Sequence, residues 1–305
     1  VKPPVIVAEV GANHRGELPT ALRMIEIAAG YCREHFRLDG VRPDVVVKFQ
    51  KRTPRASPDD FKRPHPNAAH AYGATYGAHR EALELSRADH VELSERCREL
   101  GVGYASSVWD WHSAEDICRL LPRPAWVKIP SAKNLDTVLI EKVLGEWPGE
   151  VHISLGMITR AEQRGLVDLL VKLGVSKRVV LYVCTSAYPA EPEHVRLGEI
   201  EWMTAELGPM VKSIGFSGHH AGIAIDMAAA AMGVSHIERH FTLNRTWKGT
   251  DHAASLEPDG LRRLIRDVGT VTRALGDKGD GLLDVEAEAR ERLRGASDVR
   301  ARTYA

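Results

Sequence analysis

The residues best equipped for chemistry in this 305-residue chain stand at the ends of short apolar runs. Lys48 and Lys128 interrupt VVVKF and AWVKIP, where an ammonium is costly to bury unless an anion meets it. Hydroxyls recur at equivalent places: Ser106 and Ser107, Ser131, Ser154, Thr185 and Ser186, and Ser217. Two cations among hydroxyl donors predict a pocket for a small polyanion, phosphate plus carboxylate being the natural chemistry. His219 and His240 close two successive runs. Imidazoles from adjacent strand ends can hold one divalent metal ion and leave positions for water and substrate. A lysine acting as Schiff-base nucleophile is the competing use, though that chemistry usually wants one amine of depressed pKa. A barrel that binds sugar without turning it over is a third reading.

Positioning these groups requires a frame. Eight apolar runs start at Val5, Val45, Val102, Ala125, Val151, Val179, Val211 and Ser235, and amphipathic segments separate them. Strict alternation predicts parallel strands with helical crossovers. Eight repeats predict a closed (β/α)8 TIM barrel, whose active site gathers at the C-terminal ends of the strands. The barrel is expected over residues 1–275, with one long connection, 51–87, beginning RTPRASPDDFKRPHPN. Residues 276–305 read as a polar helical tail and no separate domain. Glu9, Gln50 and Tyr188 lie at further run ends or just beyond them.

Composition narrows the class. Forty-one basic residues balance 41 acidic ones, so no chain-wide charge footprint for nucleic acid or anionic lipid exists. No stretch approaches the ~18 apolar residues of a membrane span, and the opening VKPPVIVAEV does not read as a signal peptide. The four cysteines are scattered without CxxC spacing, which suits a reducing, cytoplasmic setting.

The blocks AEVGANHRGE, VVKFQ, YASSVWD, VKIPSAKNLD, HISLGM, CTSAYPAE, IGFSGHHAGI and IERHFTLNRTWKGTDHAASLEPDGL follow in an order and spacing that resembles the sialic acid synthase (N-acylneuraminate synthase) family. The resemblance implies a metal-dependent barrel that condenses phosphoenolpyruvate with an aldose, typically an N-acylmannosamine. The products would be a 3-deoxy-2-ulosonic acid and phosphate. It further implies that Lys48, Ser107, Lys128, Ser131, Ser154, Ser186 and Ser217 bind phosphoenolpyruvate. His219 and His240 would bind the metal, Mn2+ first, with Mg2+ or Co2+ as substitutes. Glu9, Gln50, Tyr188 and Asp251 would face the sugar, and Glu9, Lys48, Lys128 and Asp251 form the expected catalytic group. The block spacing favours His219 over His220 as ligand.

Three departures bear on the acceptor and the metal. Relatives usually continue into a C-terminal antifreeze-like domain, so a homo-oligomer is expected here without that domain swap. Lys133 stands where relatives carry a sugar-contacting glutamate, which makes it an expected contact for an acidic acceptor. Gly218 stands where an aspartate commonly precedes the first metal histidine.

Overall fold

The computed structural model describes residues 2–39 and 43–294. Its eight strands close into a parallel barrel in chain order. They are β1 (Val5–Gly11), β2 (Val45–Lys51), β3 (Gly103–Val108), β4 (Trp126–Ile129), β5 (Glu150–Ser154), β6 (Val179–Cys184), β7 (Ser213–Gly218) and β8 (His236–His240). Each falls within a predicted run or within two residues of its ends. β1 pairs with β2 on one side and with β8 on the other, Glu9 standing in register with both Lys48 and His240.

Helix α1 (Leu18–Asp39) follows β1. The β2–β3 connection carries α2 (Pro58–Lys62), α3 (Tyr76–Leu83) and α4 (Arg87–Leu100). Then come α5 (Trp111–Cys118), α6 (Thr137–Glu146), α7 (Arg160–Lys172), α8 (Pro192–Val195), α9 (Gly198–Glu206), α10 (Ala224–Ala231), α11 (Pro258–Ala274) and α12 (Asp284–Arg294). Local sequence explains the boundaries. Ser86 and Asp89 form a capping box on α4, which ends at Gly101 with φ 73°, a left-handed conformation that glycine adopts at little cost. α11 buries Leu261, Leu264, Ile265 and Val268, one face at helical spacing. α9 was not legible as a helix, because its nine residues bury only Ile200 and Met203. None of the residues of α12 is buried.

Strand side chains alternate between two environments. Ile6, Ala8, Val10, Val47 and Phe49 point outward into the main core against the helices, while Val7, Val46, Ala105 and Trp126 form a smaller cluster inside the barrel. Asn13 closes the ring, donating from Nδ2 to the Phe241 carbonyl at 2.8 Å and to Ser255 Oγ at 2.9 Å. That segment therefore ties the first strand to the chain beyond the last.

The 51–87 connection is pinned at several points. Lys51 Nζ lies 2.7 Å from Glu84 Oε1, and the Thr53 amide donates to Asp110 Oδ2 at 2.7 Å. Tyr72 donates its hydroxyl to the Lys248 carbonyl at 2.5 Å, bridging to the segment after β8. His79 is fully buried and accepts from the Tyr72 amide at 3.1 Å, which ties the two ends of the Tyr72–His79 stretch together.

Candidate active site

Every strand contributes to one cavity of about 280 Å³ at the C-terminal mouth of the barrel. Glu9, Lys48, Gln50, Ser107, Lys128, Ser131, Ser154, Ser186, Tyr188, Ser217, His219, His240 and Asp251 all line it, so each sequence-predicted site residue except Lys133 is there. Strands deliver them because residues two apart share the inward face: Glu238 and His240 on β8, Lys48 and Gln50 on β2. Ser131 and Ser186 belong to the loops that follow β4 and β6.

The two lysines are only 2% exposed and are joined by the carboxylate of Glu238, two residues before His240 on β8. Glu238 Oε1 accepts from Lys128 Nζ at 2.7 Å and lies 3.6 Å from Lys48 Nζ. Lys48 also donates to Ser107 Oγ at 2.9 Å and stands 2.6 Å from Glu9 Oε2. Gln50 Nε2 donates to the other Glu9 oxygen at 2.9 Å. Burial would raise the Glu238 carboxyl, but Lys128 and Lys48 outweigh it and hold the group at about 2. Burial dominates at Glu9, whose carboxyl rises to about 7 despite Lys48. A proton on Glu9 leaves this four-residue group with one positive charge in excess. Small residues keep the space open: a Cβ on Gly156 would lie 2.4 Å from Ser186 Oγ and 2.8 Å from Ser131 Oγ.

The histidine pair stands at the C-terminal ends of β7 and β8, beside Glu238 and Glu9. The rings of His219 and His240 are 5.4 Å apart, and Tyr188 packs at 4.1 Å from the first and edge-on to the second. His219 Nδ1 donates to the Thr185 carbonyl at 2.8 Å, which leaves its Nε2 as the lone-pair nitrogen. His240 Nδ1 is buried without a hydrogen-bond partner, 3.9 Å from Asp251 Oδ2. An orphaned imidazole nitrogen beside a second imidazole and a carboxylate fits a divalent cation, with two protein nitrogens and the remaining positions left to water and substrate. His220 lies behind the wall, 3.2 Å from Asp226. A Cβ at Gly218 would come within 2.8 Å of the His220 ring, so the relatives' aspartate has no room here.

Lys133 does not reach the cavity. It closes the short 3₁₀ turn Ser131–Lys133, and its ammonium pairs with Asp136 at 3.2 Å. Two further cations, Arg52 and Arg80 from the 51–87 connection, line the cavity, and the residue types there gave no sign of them. Arg52 stacks over Trp109 with its guanidinium carbon 3.2 Å from the ring centre. Among the described residues its guanidinium donates to two neutral acceptors, Tyr76 Oη at 3.4 Å and Gln50 Oε1 at 3.3 Å, while its backbone amide donates to Glu84 Oε1 at 3.1 Å. Arg80 Nε is buried without a hydrogen-bond partner. Burial, then the charge of Arg80, brings Arg52 down to about 9.

Such a closed parallel barrel, with buried ammoniums and a hydroxyl ring at its catalytic end, defines a class of barrel enzymes acting on anionic substrates. The chain belongs to the NeuB family, whose model matches residues 43–280. It is 35% identical over 291 residues to N-acetylneuraminate-9-phosphate synthase of Homo sapiens, covering 95% of this chain and 76% of that protein. It is 28% identical to N,N'-diacetyllegionaminic acid synthase of Campylobacter jejuni, covering 91% and 79%. The crystal structure of N-acetylneuraminic acid (sialic acid) synthetase from Leptospira borgpetersenii, in complex with citrate, superposes with a TM-score of 0.76 at 25% identity, covering 96% and 93%. The chain is accordingly a sialic acid synthase-like enzyme of carbohydrate biosynthesis, in a class that forms carbon–carbon bonds. Among the described residues no helix is long and apolar enough to cross a membrane.

Proposed function

We propose that the enzyme condenses phosphoenolpyruvate with an N-acylmannosamine-like aldose that carries an anionic group, giving a nonulosonic-type acid and inorganic phosphate. The carrying observation is the pair of buried ammoniums, Lys48 and Lys128, beneath a ring of hydroxyls in a cavity that every strand lines. Burial opposes the charge on Lys48, but Glu238 and Glu9 outweigh it and raise its pKa, which supports anion binding. Burial lowers Lys128 despite Glu238, so the Schiff-base alternative is decided by the borohydride test below. A divalent ion held by His219 and His240 would polarise the acceptor aldehyde as a Lewis acid.

In the reaction, C3 of phosphoenolpyruvate bonds to the aldehyde carbon, whose oxygen takes a proton. Water adds at C2 and the bond between C2 and the phosphate-ester oxygen breaks, leaving a C2 ketone. Of the two protons the water gives up, one replaces the proton spent on the alkoxide and one leaves with the phosphate. Lys48 and Lys128 orient the donor by its charges, with Ser107, Ser131, Ser154, Ser186 and Ser217 as hydroxyl partners. Glu9, titrating near 7, can give a proton to the forming alkoxide, and Gln50 fixes its carboxyl. Asp251 beside His240 and Tyr188 against His219 orient the acceptor end. The guanidiniums of Arg52 and Arg80, for which no acidic hydrogen-bond partner stands among the described residues, favour a phosphate or carboxylate on the acceptor's far end. We place the reaction in the cytoplasm, with the chain as a homo-oligomer.

The test is phosphate release from phosphoenolpyruvate with matched neutral and phosphorylated aldoses, with chelator and with added Mn2+, Mg2+ or Co2+, the products identified by mass. Metal-restored release with a product three carbons longer than the aldose is expected. Full turnover in chelator, or a borohydride-trapped lysine adduct, would refute the reading.

A further inference from the structure

The opposite end of the barrel holds a second group of ligating side chains. TIM-barrel interiors are usually filled by Val, Ile and Leu. Here the floor is Trp126, His152, Tyr182 and His236. Trp126 stacks on His152 at 4.2 Å and 7°, and the His236 ring stands edge-on to His152 at 4.8 Å. Gly215 makes this possible, since a Cβ there would lie 2.9 Å from the Tyr182 ring. Glu150, at the start of β5, reaches the same place, and one ligand atom from each of Glu150, His152 and His236 lies within 4.8 Å of the others. Among the described residues this is the one group of three or more such ligands so arranged.

The surroundings are those of a prepared site. His152 Nδ1 is engaged by the Tyr182 hydroxyl at 2.8 Å and His236 Nδ1 by Ser235 Oγ at 2.9 Å, which turns both Nε2 atoms toward Glu150 Oε1. Lys212 pairs with the other oxygen, Oε2, and leaves Oε1 for the histidines. Oε1 lies 2.7 Å from His152 Nε2 and 4.0 Å from His236 Nε2, the second distance too long for a hydrogen bond. Two ligands about 2.1 Å from a tetrahedral ion are roughly 3.4 Å apart, so a carboxylate shift of about 0.6 Å would equalise both distances. Burial keeps both imidazoles neutral, the form that ligates, with His152 lowered to about 4 and His236 to about 3. A cavity of about 580 Å³ bordered by Glu150, Lys212 and His236 gives access and room for a water ligand.

We propose that Glu150, His152 and His236 form a binding site for a zinc-like divalent cation at the N-terminal face of the barrel, separate from the His219–His240 pair. Two imidazole nitrogens and a carboxylate oxygen, with one position for water, match the preference of such ions for borderline ligands in tetrahedral geometry.

The test uses the full chain with His219→Ala and His240→Ala combined, which removes the upper pair. Calorimetry and metal analysis with Zn2+ should still find one ion per chain, and Zn2+ should raise the melting temperature. Co2+ in its place should give the visible absorption of a low-coordinate site. Adding His236→Ala, or separately Glu150→Gln in case the first variant misfolds, should abolish binding, spectrum and thermal shift together. The proposal is overturned if the upper-pair variant binds no Zn2+, or if binding survives both lower-site changes. Neither result depends on turnover, so the condensation reading stands or falls on its own assay.

Discussion

Glu238 is the residue whose removal best tests the electrostatics of the mouth. Glu238→Gln keeps the shape and one acceptor but leaves Lys128 and Lys48, each 2% exposed, without their shared carboxylate. Breaking a buried ion pair from one side costs about 3–5 kcal/mol, and the retained amide acceptor argues for the lower figure, about 3. At roughly 2–3 °C per kcal/mol for a chain of this size, the melting temperature should fall by roughly 6–9 °C in anion-free buffer. An added anion should then take the place of the missing carboxylate. Ligand at about 100 times its Kd stabilises by about 2.7 kcal/mol, so phosphate or phosphoenolpyruvate should recover most of the loss. Differential scanning calorimetry across a phosphate titration, wild type beside variant, reads both effects. An unchanged melting temperature without anion, or equal phosphate responses in the two proteins, would show that the lysines do not form the anion seat.

Other outcomes follow from the same geometry. Lys48→Met should abolish calorimetric binding of phosphoenolpyruvate with little loss of melting temperature, since Glu9 can take up a proton when its partner goes; undiminished binding would put the donor elsewhere. Lys133→Ala should change the acceptor KM by less than about twofold, because an exposed pair such as Lys133–Asp136 contributes at most about 1 kcal/mol and lies outside the cavity; a tenfold change would return Lys133 to the site. Burial lowers His90 to about 3, below its unfolded value, so the stability this histidine contributes is present above pH 6.5 and lost as pH falls toward 3. His90→Gln, which keeps an acceptor for the Tyr104 hydroxyl now 2.6 Å from His90 Nδ1, should flatten that part of the denaturation profile between pH 6.5 and 4; an unaltered slope would assign it to other groups.

The barrel was legible because parallel strands buried on both faces must be apolar, and the interruptions stood out against that background. Lys48 and Lys128 were conspicuous for this reason. Glu238 is legible for the same reason, as a polar residue on the last run, and the two-residue period that links it to His240 also reaches His236 and the barrel floor. Arg52 and Arg80 were not legible. One follows β2 and the other sits in α3, and only the folding of the connection between them brings both to the mouth. Lys133 was expected at the acceptor because it stands where relatives carry a sugar-contacting glutamate, but it closes a 3₁₀ turn and its ammonium pairs with Asp136. Gly218 read as a loss of a metal-site carboxylate; the His220 ring behind it explains why no side chain fits.

The way the 51–87 connection is fastened separates two tasks. On the proposed reading, the hydroxyl ring that faces the donor comes from β3, β5 and β7 and from the loops after β4 and β6, whereas the guanidiniums offered to the acceptor arrive on the connection after β2, clipped at Glu84, Asp110 and Lys248. Changes within the connection can therefore alter which aldose is accepted without disturbing the seat for the three-carbon donor. Acceptor choice becomes a cassette: residues 52–83 exchanged between relatives, with the clip partners kept, would be expected to carry sugar preference along while the carbon–carbon bond-forming machinery stays in place.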